Sequence, residues 1–311
     1  MPSSSVRTFT DPDDYTAAIR GTTAELTVTG RGEFAAEIVR IELSRMVVTR
    51  FRDNLPRVYH SVNFPGRGGI SFRTEPGPSY LMSGVEMEPT NLARLRENHE
   101  SHHHSSGPAS IGLISLPVED MASIGGHILA PPRETLSVTP PPLQMARLQR
   151  LHAAAVRLAE TAPEIIANPD AARGLEQAFV EAGVDCLGKA RVGEDSVAQR
   201  QHQLIMRRFH RVLEEKPGES LYITEVCRAI GVSIRTLQMC CQEELGMGPK
   251  RYLLLRRLHL ARRALRAAAP DATTVTDIAT RCGFWHLGRF AGEYRSLFGE
   301  SPSVMLHRQP E

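Results

Sequence analysis

A chain of 311 residues with 41% hydrophobic content is long enough for two domains with buried cores, although aromatic residues make up only 5%. Its five cysteines (Cys186, Cys227, Cys240, Cys241, Cys282) form neither a C-x-x-C metal pair nor a disulfide ladder, and Met1-Pro2-Ser3-Ser4-Ser5 opens no apolar signal segment. Buried thiols in a reducing cytoplasm and the absence of a membrane span are the expectations. The net charge of +2 hides an asymmetry: residues 201–311 hold 17 Lys and Arg against 11 Asp and Glu, leaving 20 against 24 in the rest. A basic third on an acidic body fits a nucleic-acid-binding module attached to another domain; clustered solvated charge gives the same count.

Residues 1–20 read as a loose or partly helical lead-in. From Glu25 to Val118 short β-type runs alternate with breakers: Phe34–Leu43, Met46–Phe51, Val58–Phe64, Gly69–Phe72, Tyr80–Met87 and Ile111–Leu116. Ile38, Arg40 and Glu42 alternate with Val39, Ile41 and Leu43, the period of a half-buried strand. Strands this short and frequent predict a sandwich or small barrel, and no strand-helix-strand alternation suggests a nucleotide-binding sheet.

After Pro131-Pro132 and Pro140-Pro141-Pro142 the period becomes helical. Leu148, Leu151, Ala155 and Leu158 make one stripe, and Leu175, Phe179, Ala182 and Cys186 a second, on a helix from about Pro169 to Leu187. Two packings satisfy these stripes, one onto the β domain and one against a second copy of the chain. Lys189–Gln203 is polar and reads as a linker. A helix over Leu204–Leu213, closed before Pro217-Gly218, opens the last domain.

That domain contains a repeat. Val226–Ser233, Leu237, Leu245-Gly246 and Pro249 return as Ile278–Phe284, Phe290, Phe298-Gly299 and Pro302, shifted by 52 residues up to the glycine of the turn and 53 after it. Each copy is a short amphipathic helix, a glycine turn and a longer amphipathic helix, the plan of a DNA-binding helix-turn-helix. In the first copy Gly231 ends one helix and Ser233 caps the next, which runs Ile234 to Leu245 with Leu237, Cys241 and Leu245 inward. Arg235, Thr236, Gln238, Met239 and Gln242 then form its outer face, where Arg and Gln suit bidentate contacts to guanine and adenine edges. An ordinary solvated face is the alternative. The second copy offers Gly288, Arg289 and Gly292 at its outer face, with fewer polar readers. Ser233, Arg251, His286 and Arg295 are candidates for phosphate contact. A long helix from Arg251 to Ala269 joins the copies; its Arg256, Arg257, Arg262, Arg263 and Arg266 suit phosphates or salt bridges.

His102-His103-His104, with His99 nearby, sits among Ser, Gly and Pro and reads as a loop. Consecutive histidines cannot all face one ion in regular structure, so neither metal nor cofactor is expected. No H-E-x-x-H, G-x-S-x-G, phosphate loop or dinucleotide fingerprint is present, and no catalytic residue is singled out. An enzyme or ligand-binding protein with a regulatory DNA-binding tail is the alternative reading.

The segments I-G-V-S-I-R-T-L-Q, L-G-M-G-P-K-R-Y-L-L-L-R-R-L-H-L-A-R-R-A-L and V-T-D-I-A-T-R-C-G-F-W-H-L-G-R-F-A-G-E-Y-R-S-L-F-G-E-S-P-S closely resemble the DNA-binding domain of AraC/XylS-type transcription regulators. The run G-F-W-H-L-G-R-F followed by F-G-E-S-P is similar to the subgroup of ethanolamine-operon-type regulators. The resemblance covers about a third of the chain. It implies two helix-turn-helix units reading adjacent major-groove segments of duplex DNA, contact with RNA polymerase, and activation or repression of transcription. Cys241 departs from the bulky aromatic usual at that position, which implies a looser first core. In many members the N-terminal half is a cupin-like barrel that binds a small effector or dimerises; here that half is similar only in layout. The expectation is an α+β cytoplasmic regulator: a β-rich sensor or dimerisation domain (1–188, with a helical pair at about 143–188), a linker (189–203), and an all-α domain (204–308) of two helix-turn-helix motifs joined by a long helix. Its partners are DNA, an unknown small-molecule effector and a second copy of the chain.

Overall fold

The computed structural model describes residues 1–20, 22–63, 65–98, 100–123, 137–192, 197–216 and 221–308. Phe64, His99, Pro131-Pro132 and Pro217-Gly218, named above, lie outside them. The N-terminal half runs β1 (Ser3–Phe9), α1 (Pro12–Ala18), β2 (Thr22–Val28), β3 (Ala36–Glu42), β4 (Val47–Asp53), β5 (Arg57–Asn63), β6 (Arg67–Arg73), β7 (Tyr80–Met82), β8 (Val85–Glu86), β9 (Leu92–Leu95), β10 (Glu100–Ser105) and β11 (Ala109–Pro117). There follow α2 (Val118–Ser123), β12 (Ser137–Thr139), α3 (Pro142–Thr161), α4 (Pro163–Ala167), α5 (Pro169–Gly188) and β13 (Arg191–Val192).

The strands form two antiparallel sheets, β1-β3-β4-β11-β6-β9-β12-β13 and β2-β5-β10-β7-β8. Side-chain alternation assigns each sheet two different jobs. On β11, Ile114 and Leu116 pack outward against the helices, while Ile111, Leu113 and Ser115 point between the sheets. The outward residues join Val39, Ile41, Val48 and Phe72 with Met145, Leu148, Ala155, Phe179, Ala182 and Cys186 in one core. The stripes of α3 and α5 are therefore buried on the sheet and on each other within one chain. Each of these helices opens with proline in its first turn, where a missing N–H costs nothing, and Asn168 caps α5 by accepting from the amides of Asp170 and Ala171.

Three expectations are corrected. The lead-in is a strand and a helix: β1 pairs along β3, and Asp11 caps α1 through the amides of Asp13 and Asp14. The histidine run is not a loop but strand β10, held between β5 and β7. Polarity alone hid it, because these side chains contact other domain surfaces rather than water. The second half of the expected linker is helical.

The C-terminal half is α6 (Val197–Glu215), α7 (Ile223–Ile230), α8 (Ile234–Leu245), α9 (Pro249–Ala267), α10 (Val275–Arg281), α11 (Leu287–Phe298) and α12 (Pro302–Leu306). Within α6, Ile205, Met206, Phe209, His210 and Leu213 are buried, so the preceding turns extend the helix with polar residues that face solvent. Two cores are threaded by α9: Tyr252 and Leu253 belong to the first, Leu255, Leu258, Ala261 and Leu265 to the second. Cys241 is fully buried with its sulfur 3.9 Å from that of Met206, so methionine fills the space beside it. Val58, on the outer face of β5, lies in the first core, which places the five-stranded sheet directly against the helical half.

Candidate DNA interface and its support

The first helix-turn-helix is α7, a turn and α8. Gly231 ends α7 at φ 73°, and the amide of Thr236 donates to Ser233 Oγ at 3.0 Å to cap α8. With Leu237, Cys240, Cys241 and Leu245 buried, Arg235, Gln238, Met239 and Gln242 stand exposed on the opposite face. Thr236 is half-buried, its hydroxyl 2.8 Å from that of Ser233, so both hydroxyls serve the cap. The second motif is α10, a turn and α11. Phe290, Tyr294 and Leu297 face inward; Gly288, Arg289 and Gly292 face out, and space beside both glycines is open. Arg289 donates to Glu293 at 2.9 Å within its own helix. His286, Arg295 and Arg251 are exposed. Trp285 is 71% exposed in the turn before α11, beside a groove shared with Tyr222 and Glu225 of the first motif. Sequence reading assigned Trp285 no role beyond its place in the run G-F-W-H-L-G-R-F; a tryptophan outside every inward stripe was the available signal.

The arginines of α9 are used elsewhere. Arg262 reaches Asp11 at 2.6 Å and Asp13 at 3.4 Å, Arg266 reaches Asp11 at 2.7 Å and Asp14 at 2.8 Å, and Arg256 meets Glu25 at 3.2 Å. Burial alone raises an acid's pKa, but in Asp11 the hydrogen bond and charge of Arg262, with the charge of Arg266, outweigh it and hold the carboxyl below its ordinary value. His259 donates to the carbonyl of Val28 at 2.9 Å, and burial, partly offset by that bond, holds it down to about 4. These partners lie on α1 and β2, so α9 both joins the two motifs and clamps them to the N-terminal half.

Between the sheets lies a cavity of about 210 Å³. Its wall mixes Phe51, Ile111 and Leu113 with Tyr59, Tyr80, Ser101 and His103, and it carries Arg20, Arg40, Arg57 and Arg67 but, among the described lining residues, no carboxylate. Arg57 is buried and its Nη2 lies 2.7 Å from Asp53, while its Nη1 has no hydrogen-bond partner. Burial, opposed by the Arg57 charge, pushes Asp53 up to about 6. His103 is fixed by the Tyr80 hydroxyl at 2.7 Å and Ser101 at 2.9 Å.

One residue back along β10, His102 points to the other side of the sheet. There it stacks on His60 at 4.7 Å and meets the tilted ring of His210 of α6 at 4.0 Å, with Glu244 of α8 at 3.4 Å. Burial, with the neighbouring imidazole charge, holds His102 down to about 3; burial raises Glu244 to about 8. Sequence reading assigned none of His60, His210 or Glu244. The signal was present: His210 and Glu244 fall at helical spacing within buried stripes, where an ionisable group needs a partner.

The chain was compared with known proteins. A family model of a helix-turn-helix domain matches residues 226–308, which span both motifs. The probable thc operon regulatory protein of Rhodococcus erythropolis is 46% identical over 98 residues, 32% of this chain and 30% of that protein. XylDLEGF operon transcriptional activator 2 of Pseudomonas putida is 34% identical over 105 residues, 32% of this chain and 67% of that protein. A probable AraC family transcriptional regulator of Rhodopseudomonas palustris, known from its crystal structure, is 33% identical over 33% of this chain and 95% of that one, with a TM-score of 0.31. The chain belongs to the AraC family of transcription regulators.

The match to the first of these relatives covers about a third of that protein's length. The family model begins at Val226, so the cavity, His60 and His102 lie in the β-rich half outside it, His210 lies on α6 before it, and Glu244 lies within it. Among the described residues no helix is long and apolar enough to cross a membrane.

Proposed function

We propose that this AraC-family protein is a sequence-specific transcription regulator, acting as an activator, that binds duplex DNA through residues 204–308 and is controlled through residues 1–188. The observation that carries the reading is the outer face of α8, where Arg235, Gln238, Met239 and Gln242 are exposed while Leu237, Cys240, Cys241 and Leu245 are buried in the motif. α11 lends Gly288, Arg289 and Gly292, with His286, Arg295, Ser233 and Arg251 toward phosphates. RNA polymerase is the expected further partner, the cytoplasm the expected compartment, and the run from Gly283 to Pro302 supports a reading as a regulator of the ethanolamine-operon type.

The controlling ligand is a small organic anion with an apolar body. The cavity exceeds the roughly 150 Å³ that admits a benzene ring, and Arg57, one of its lining residues, carries a buried Nη1 without a hydrogen-bond partner. Its wall is one face of the sheet whose other face carries the DNA-binding domain, so a ligand that shifts β5 or β10 acts on that domain's seat. Selecting binding sites from a random DNA pool with the full chain tests the reading. One enriched motif, lost with Arg235→Ala or Gln238→Ala, supports it; unselective binding that tracks salt alone overturns it.

A further inference from the structure

The outer face of the five-stranded sheet gathers three imidazoles that DNA binding does not use. His60 and His102 are direct cross-strand partners on β5 and β10. α6 lays His210 over both, with ring centroids 4.6 Å and 4.0 Å away. One ring nitrogen from each lies within 4.8 Å of the other two. The residues are 5%, 2% and 2% exposed.

Their hydrogen bonding is incomplete in a patterned way. His60 Nε2 is 3.1 Å from Glu100, and its Nδ1 is 3.8 Å from Glu214. His102 Nδ1 faces Glu244, itself 2% exposed, and leaves Nε2 without a partner. Nε2 of His210 and both oxygens of Glu244 also lack hydrogen bonds. Folded interiors leave few buried polar atoms unsatisfied, and here four belong to three neighbouring side chains, His102, His210 and Glu244. Protonation does not resolve the cluster, because positive rings about 4 Å apart repel strongly away from water. Neutral imidazoles braced by carboxylates on their far nitrogens are instead how proteins present histidine to a metal.

We propose that His60, His102 and His210 form a divalent transition-metal site that joins the sensor sheet to the DNA-binding domain, with Glu100 and Glu244 holding two of the rings. Three nitrogen ligands with one position left for water or a carboxylate suit Zn²⁺, whose nitrogen ligands sit at about 2.0–2.1 Å. Drawing the nitrogens in to that distance needs rotation of the rings about their own side-chain bonds. Two ligands belong to the sheet that walls the cavity and one to α6. Glu244 belongs to α8, the helix that carries Arg235 and Gln238. Metal occupancy therefore fixes the first helix-turn-helix on the back of the sensor sheet. The site stands independently of whether the cavity takes a ligand or the outer face reads DNA.

The test is calorimetric titration of the chelator-stripped full chain with Zn²⁺ alone. One equivalent is expected, with an unfolding midpoint that rises with Zn²⁺ concentration. His102→Gln and His210→Gln should each weaken binding by about 100-fold or more. No saturable equivalent, or a variant that binds like the parent chain, overturns the proposal. If the variants do not fold, X-ray absorption of the zinc-loaded parent chain decides. Nitrogen and oxygen neighbours with histidine scattering support the site; a sulfur ligand places the zinc on a cysteine and overturns it.

Discussion

Gly246 and His104 meet across the domain boundary so closely that a β-carbon on Gly246 would lie 2.4 Å from the imidazole. Gly246 ends α8 at φ 66°, so any other residue there also pays a left-handed backbone cost of about 1–2 kcal/mol. Gly231 ends α7 at φ 73° with nothing within 4 Å of its β-carbon. The pair separates backbone strain from domain docking. Gly231→Ala should lose only the backbone part, and Gly246→Ala should lose roughly 1–3 kcal/mol more through overpacking. His104→Ala in the Gly246→Ala background should recover that excess. Denaturant unfolding of the four chains measures it, and equal losses for the two glycine variants would show that the contact does not hold the domains.

The Asp11–Arg262 pair predicts an acid-sensitive clamp. Asp11 is held below its ordinary pKa in the folded chain, so its contribution is fully present above the unfolded value near 4. It is lost as pH falls through the lowered folded value. Asp11→Asn keeps a cap for α1 but removes the charge facing Arg262. The pair is partly buried, so the loss at pH 7 should be about 1–2 kcal/mol, between an exposed and a fully buried pair. The difference from the parent chain should shrink as pH falls through the lowered folded value. A difference that stays constant across acid pH would mean that charge does not make the clamp.

The helical half was legible because its repeat fixes two inward stripes, and Leu237, Cys241, Leu245, Phe290 and Tyr294 are all buried as their spacing requires. The strands flanked by Pro and Gly were legible for the same reason. What escaped were elements whose side chains meet a distant part of the chain. His102 reads as polar, yet it is buried because α6 returns to cover it more than a hundred residues later. Arg262 reads as suited to a phosphate or a salt bridge alike until α1 supplies Asp11. Local periodicity reports that a face is buried but not which remote surface buries it, and polar partners across a domain boundary leave no period at all.

Arg57 predicts the charge of the effector. Arg57 lines the cavity and its buried Nη1 has no hydrogen-bond partner, so a carboxylate that reaches it gains a charge-assisted hydrogen bond that an amide does not match. Thermal unfolding of the full chain should show a concentration-dependent rise with single-ring or short-chain carboxylates and little with their amides. Arg57→Met should abolish the rise. Equal shifts for acids and amides would assign recognition to the apolar wall alone.

Arg235 and Arg289 should fail in different ways. Arg235 stands free on the outer face of α8 within a row of polar side chains. Arg235→Ala should cost about 1–3 kcal/mol at one base pair and relax preference there, leaving other positions unchanged. Arg289 is tethered to Glu293 at 2.9 Å and flanked by two glycines that offer a base no hydrogen bond. A guanidinium held this way suits a phosphate better than a base edge, so Arg289→Ala is expected to weaken all sequences alike and lower the salt slope by about 0.9. Competition binding over single-base variants, repeated at several salt concentrations, separates the two behaviours. A uniform loss for Arg235→Ala would move base readout away from the first motif, and a base-specific loss for Arg289→Ala would give the second motif a discriminating role.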